Sequence, residues 1–186
     1  MSLQNLEWIR LPVEGRAFRD DDGPKEISNE VSKVQGVAVA DLDRAVYAIR
    51  LHSDFVIDYP KKTSPLLYIG EGSVVSRIKS HHRNWLCDFA AEQKDFAYTI
   101  WFCIPRVRNN SEAYRSVEAH LINRFQGLYG AIPLYNQQTE TEVSTYQYSP
   151  QFYEVFGVGR GRKPKWALKP CPSHPSYEKY FKGFEE

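Results

Sequence analysis

The clearest pattern in the chain is Ala45-Val46-Tyr47-Ala48-Ile49-Arg50-Leu51, apolar and partly β-branched, which predicts a strand. A polar stretch with Asp58, Pro60, Lys61 and Lys62 follows, and Leu66-Leu67-Tyr68-Ile69-Gly70 then predicts a second strand that stops at a glycine. The two lie close enough to pair as a long-looped antiparallel hairpin. From Val74 to Phe89 the period changes, with Val74, Ile78, Trp85 and Phe89 recurring at helical spacing. Phe96 to Ile104 is the most strand-like run of all, and Pro105 stops it. A second helical pattern carries Val117, Leu121, Phe125 and Leu128, ends near Gly127 or Gly130, and has Ser111 as its expected N-cap. The order is β-β-α-β-α, an α+β class in which a small antiparallel sheet is covered by helices.

The flanks are less regular. Residues 1–44 read as an extension in which Trp8, Leu11 and Val13 mark a short strand and Asp20-Asp21-Asp22-Gly23-Pro24 marks a loop. Residues 137–186 form a second extension. Its run Phe156-Gly157-Val158-Gly159-Arg160-Gly161 resembles a nucleotide-binding loop, but the third glycine spacing is missing and Pro164 interrupts the helix that should follow. A basic, glycine-containing arm is the better reading. Tyr146, Tyr148, Phe152, Tyr153, Phe156 and Trp166 are expected to pack this extension onto the core.

Composition narrows the class. A chain of 186 residues can bury a core without a staple. Its three cysteines, Cys87, Cys103 and Cys171, have no C-x-x-C pair and an odd count, which argues against a zinc finger or a secreted disulfide scaffold and favours a reducing compartment. No apolar run approaches the roughly 20 residues that span a bilayer and no signal-peptide h-region is visible, so, with the cysteine usage, a cytoplasmic (intracellular), membrane-free protein is expected. The formal net charge of +1 excludes a uniformly basic nucleic-acid binder. It hides an uneven distribution, because residues 1–44 carry −3 and residues 45–186 carry +4. Lys79 and Arg83 join Arg77 between Val74 and Asn84 without an acid, and Arg160, Arg162, Lys163, Lys165 and Lys169 form a second acid-free run. Both runs are candidate contacts for a nucleic-acid backbone.

Candidate chemistry gathers in the middle of the chain. Arg77 and His81, four residues apart, share one helix face directly after the Tyr68-Ile69-Gly70 strand end. Gly70 and Gly72 would let a phosphate approach the backbone there, and a guanidinium suits bidentate phosphate contact. Glu118 is the acid of the second helix's Val117-Glu118-Ala119-His120-Leu121-Ile122. Together, Ala45-Val46-Tyr47, Tyr68-Ile69-Gly70, Arg77 with His81, Glu118-Ala119-His120-Leu121-Ile122 and Pro133-Leu134-Tyr135-Asn136 resemble the GIY-YIG nuclease superfamily in residue type, order and element. The resemblance covers about residues 45–136.

The resemblance implies a β-β-α-β-α catalytic module hydrolysing DNA phosphodiesters with one Mg²⁺ or Mn²⁺, leaving 5′-phosphate and 3′-hydroxyl ends. By position it implies catalytic roles for Tyr47, Tyr68, Arg77, His81 and Glu118, with Glu118 as metal ligand and Gly70 and Asn136 in support. Either tyrosine could activate the water. The first motif reads Ala-Val-Tyr where the family has Gly-Ile-Tyr, and the long Tyr47–Tyr68 connection is closer to the restriction-enzyme branch. Glu71 and Gly72 stand where some members carry an activating lysine. An inactive nucleic-acid-binding module and a nuclease acting on RNA or branched DNA remain the alternatives. The flanks could supply specificity or a homodimer contact, one route to cutting both strands.

Overall fold

A computed structural model describes residues 6–11, 23–34, 36–52, 54–91, 97–139, 141, 146–159, 163–173 and 175–181. The architecture is α+β. A four-stranded antiparallel sheet has the order β1 (Ile9–Arg10), β6 (Tyr98–Cys103), β2 (Ala45–Leu51) and β5 (Leu66–Gly72). Strand β2 is buried at every position because it has a strand on each side and cover on both faces. That explains why its sequence is a continuous apolar run instead of an alternation. The one charged residue in it, Arg50, lays its guanidinium 3.8 Å over the Trp101 ring and donates to the Gly157 carbonyl.

Register sorts the side chains. Tyr47 pairs with Phe102 and Gly70, and Ala48 with Trp101 and Ile69, so Tyr47, Phe102 and Tyr68 share one sheet face and Trp101 lies on the other. Helix α2 (Val74–His81) continues through a π turn (His82–Leu86) into α3 (Cys87–Ala91), and the Cys87 N–H reaches the His82 carbonyl. Helix α4 (Ala113–Tyr129) packs on β5 and β2. It buries Val117, Leu121, Ile122 and Phe125 in a core shared with Phe152 and Phe156 of a 3₁₀ segment, Pro150–Phe156. Gly130, at φ 86°, closes α4 with its N–H on the Gln126 carbonyl at 2.8 Å, the left-handed stop expected of that glycine.

Several local expectations change. Ser111 does not cap α4: the helix begins at Ala113 with Glu112 in the cap position, and the Asn110 side chain accepts the Glu112 N–H at 3.0 Å. Helix α1 (Gly23–Ser32), packed against α2, occupies what reads as an irregular extension. Gly23-Pro24 is a turn signal that also starts a helix well, since proline's fixed φ suits the first helical turn. Val13 and Asp20 to Asp22 lie outside the described residues, while Ile9–Arg10 supplies the short N-terminal strand by pairing with Phe102 and Trp101. The polar stretch after β2 contains β3 (Phe55–Asp58) and β4 (Thr63–Ser64). They form a second sheet with β7 (Trp166–Leu168), which pairs parallel to β3 in the register Phe55 to Trp166. Helix α5 (Pro175–Phe181) closes the described chain, and its Tyr180 hydroxyl donates to the Leu134 carbonyl at 2.7 Å. Phe152 and Phe156 are core residues as expected, but Trp166 is 62% exposed, stacked on Phe55 beyond the core. No described helix is long and apolar enough to cross a membrane.

Candidate functional site

Strand β5 is an edge of the main sheet, and the candidate residues collect beside it. A cavity of about 370 Å³ is lined by Tyr68 and Glu71 of β5, Arg77 of α2, and Arg115, Ser116 and Glu118 of α4. Gly72 makes this junction possible. Its φ of 98° lies in the left-handed region, and the strand turns there into α2, bringing Arg77 back over the strand end. Among the described residues the cavity is thus lined by two cations, two carboxylates and one phenol. Arg115 is held 3.0 Å from Glu112.

Tyr47 and His81 form a layer behind Tyr68. The Tyr47 hydroxyl lies 2.7 Å from His81 Nε2, and the Tyr68 and His81 rings are 4.4 Å apart. Trp85, one helical turn beyond His81, donates its indole N–H to His81 Nδ1 at 3.0 Å. An indole nitrogen can only donate, so Nδ1 is an acceptor and carries no proton. A neutral His81 therefore has its proton on Nε2 and donates to the Tyr47 oxygen. Trp85 is itself stacked on Tyr135 at 3.7 Å. In the sequence Trp85 stands out only as an apolar helix position. The available signal was its i+4 spacing from His81, which places a donor beside the imidazole.

Ionisation follows burial and charge. Burial, and then the Arg77 guanidinium, push His81 down to about 4, so it is neutral at physiological pH. Both phenols are held above the ordinary tyrosine range. For Tyr47 burial dominates, followed by the proximity of Tyr68. For Tyr68 burial is again first and the Glu118 charge second, while hydrogen bonding from Tyr47 and the charge of Arg77 favour its ionised form. Of the two, Tyr68 is the one on the cavity and Tyr47 the one fully enclosed. Removing the Trp85 donor should ease protonation of Nδ1. Trp85→Phe is expected to move the His81 titration midpoint up by about one pH unit, the worth of one net hydrogen bond, as read by NMR of the imidazole.

Asn136 does not reach the cavity. It is buried on the edge of β5, where its Oδ1 accepts the Ile69 N–H at 3.0 Å and its Nδ2 donates to the Ile69 carbonyl at 2.8 Å. The Tyr135 N–H adds a bond to the Leu67 carbonyl at 3.0 Å. One amide side chain thus imitates a neighbouring strand and satisfies an edge that would otherwise be unpaired. Asn136→Ala strips two buried backbone groups of partners, and a loss of about 2–4 kcal/mol in chemical denaturation is expected.

The remaining candidates are spread out. Gly70 lies directly under the Tyr47 ring, where an added Cβ would sit 2.6 Å from the Tyr47 hydroxyl. Lys79 and Arg83 are exposed along α2 and the π turn, outside the cavity lining. Lys163 lines a different cavity, and Lys165 is paired with Asp54 at 2.7 Å. Arg160 and Arg162 lie outside the described residues.

No family model, curated protein or solved structure matches this chain. The site therefore stands on its own geometry.

For a metal, the donor chemistry is the test. Among the described residues no group of three or more His, Cys, Asp or Glu side chains is placed to hold an ion. A hard cation such as Mg²⁺ needs only one or two carboxylates, keeping water or phosphate oxygens in its other positions. Glu118, with Glu71 on the same cavity, fits that requirement.

Proposed function

We propose that this chain is a Mg²⁺- or Mn²⁺-dependent endonuclease of the GIY-YIG type, acting on DNA. The observation that carries the reading is the convergence of Tyr68, Arg77 and Glu118, from three different elements, on one polar cavity. The Tyr47–His81–Trp85 hydrogen-bonded layer stands behind it. Isolated, each residue is an ordinary strand or helix side chain. Their gathering is what phosphodiester hydrolysis needs: a group to orient water, a cation for the phosphoryl oxygens, and a metal ligand.

Arg77 would take the charge that grows on the non-bridging oxygens, its fork matching two of them. Tyr68 is the better of the two phenols to orient and deprotonate water, because it borders the cavity and Tyr47 favours its ionised form. Tyr47 holds Tyr68 in place, and His81 donates to the Tyr47 oxygen from behind. Held by Glu118, a divalent cation would offset the carboxylate charge that opposes ionisation of Tyr68 and act as a Lewis acid on the leaving 3′ oxygen.

A second reading has its own support. Burial, Glu118 and Glu71 all oppose ionisation of Tyr68, and Glu71 stands where an activating lysine would lower that barrier. The alternative is a module that binds nucleic acid without cutting it. Incubating the wild type and Glu118→Gln with duplex, single-stranded, branched and RNA substrates in Mg²⁺ or Mn²⁺ separates the readings. The nuclease reading expects ligatable 5′-phosphate ends from the wild type and none from Glu118→Gln. Salt-sensitive binding with no cleavage in any metal favours the second reading, and neither binding nor cleavage sinks both.

A further inference from the structure

At the far end of α4 from the candidate site lies a much larger cleft, about 1840 Å³. Glu118 borders the small cavity and Tyr129 borders this one, eleven residues along the same helix, or about 16 Å at 1.5 Å per residue. The cleft opens between the end of β2, strand β3, the end of α4 and the stretch leading into β7.

Its lining alternates rings with cations. Arg50 lies 3.8 Å over Trp101, Arg10 lies 4.2 Å over the same indole, and Lys62 lies 4.6 Å over Tyr129. Lys163 and Trp166 complete the wall on the β7 side. The two acids among the cleft's described lining residues are each matched, Glu154 by Arg10 at 3.8 Å and Asp54 by Lys165 at 2.7 Å. Lys62 and Lys163 therefore leave its described lining with an excess of positive charge. Trp166 presents its indole to solvent at 62% exposure, its other face held 6.3 Å from Phe55 at an interplanar angle of 19°. A large ring braced on one side and bare on the other is a stacking platform.

We propose that this cleft binds a single-stranded segment of nucleic acid, its bases stacking on Trp166 and its phosphates meeting Lys62 and Lys163. Volume argues against a lone small ligand, whose pockets run to about 300–1,000 Å³. The bare ring argues against a duplex, because paired bases hide their faces in the stack, whereas unpaired bases offer them. The proposal deepens the nuclease reading by naming the substrate as a duplex that carries an unpaired arm. Along α4 the span from Glu118 to Tyr129 matches about five steps of duplex at about 3.4 Å each.

The binding half is tested without relying on catalysis. Fluorescence anisotropy in EDTA compares an oligothymidylate of about 15 nucleotides with a blunt duplex of equal length. Expected are tighter binding of the single strand, weakening with salt, and an affinity loss of about fivefold or more in Trp166→Ala that Trp166→Phe restores. Lys62→Ala with Lys163→Ala should lower the salt dependence as well as the affinity. Equal affinity of wild type and Trp166→Ala overturns the proposal, as does a blunt duplex bound as tightly as the single strand, or no binding of the single strand. Because EDTA removes any metal, a chain that never cleaves but binds in this pattern refutes the nuclease reading alone. Cleavage of duplex with no single-strand binding refutes the cleft alone.

Discussion

On the proposed nuclease reading, Arg77→Ala is expected to lower phosphodiester cleavage by about 10²–10³-fold at saturating substrate, the usual cost of losing one preorganised charge on a phosphoryl centre. The effect belongs in kcat, because the oxygens that Arg77 would neutralise gain their charge only as the transition state forms. Arg77→Lys retains a point charge but loses the planar fork, so it should recover only part of the rate. Single-turnover measurement on a labelled duplex separates the chemical step from product release. A rate for Arg77→Ala within a few-fold of wild type would remove this residue from the mechanism.

The same substitution has a second signature. Arg77 is the lesser of two causes that hold His81 at about 4, below its ordinary 6.5, and burial is the greater. As pH falls from about 6.5 toward 4, the unfolded chain takes up the His81 proton and the folded chain does not, so stability declines across that window. Arg77→Ala removes one of the two causes. The midpoint should rise and the drop in Tm between about pH 7 and about pH 5 should shrink, with the burial component remaining. It also removes a charge that favours ionised Tyr68, so on the proposed nuclease reading one change should act in opposite senses: cleavage slows while the imidazole becomes easier to protonate.

How much of this was legible in the sequence depends on how local the determining contacts are. Strands β2, β5 and β6 and helices α2 and α4 could be read directly, since each carries a sustained apolar pattern of its own period. The motif residues Tyr68, Arg77 and Glu118 could be nominated from type and order, and they do line one cavity. Strand β3 could not be read, because its four residues lie between β4, only two residues long, and a parallel partner that begins at Trp166, far along the chain. Such a pairing leaves no local period. Helix α1 was hidden by ambiguous chemistry, since the Gly-Pro pair that bends a turn also opens a helix. Ser111 failed as a cap for a related reason: Asn110, one residue earlier, competes for the same orphan N–H groups and accepts that of Glu112. The two contacts that fix the state of His81, from Tyr47 and from Trp85, come from different elements, and only the second has a sequence-local spacing.

Gly70→Ala should be the most damaging single methyl group in the site. Gly70 does not need glycine for its backbone, since its φ is not among the positive values found at Gly36, Gly72, Gly130 and Gly159. What it needs is space. A Cβ there would lie 2.5 Å from Tyr68 Cε1, 2.6 Å from the Tyr47 hydroxyl and 2.7 Å from Tyr47 Cζ. Tyr47 has no exposed surface into which it could swing, and its hydroxyl is tied to His81 at 2.7 Å. Relief must come from moving both the Tyr47 and Tyr68 rings or parting β2 from β5. Overpacking of this kind costs about 1–3 kcal/mol. A displacement of about 1 Å in a positioning layer typically costs about 10²-fold in rate. Gly72→Ala is the matched comparison, because its added Cβ meets only Arg77 Nε at 3.8 Å and its cost comes from the left-handed φ of 98°. Gly70→Ala should lose both activity and the His81–Tyr47 hydrogen bond seen by NMR. Gly72→Ala should lose about 1 kcal/mol of stability while that bond persists. Should Gly70→Ala cut DNA at the wild-type rate with Tyr47 still bonded to His81, the close packing of tyrosine on glycine would be a matter of folding and not of catalysis.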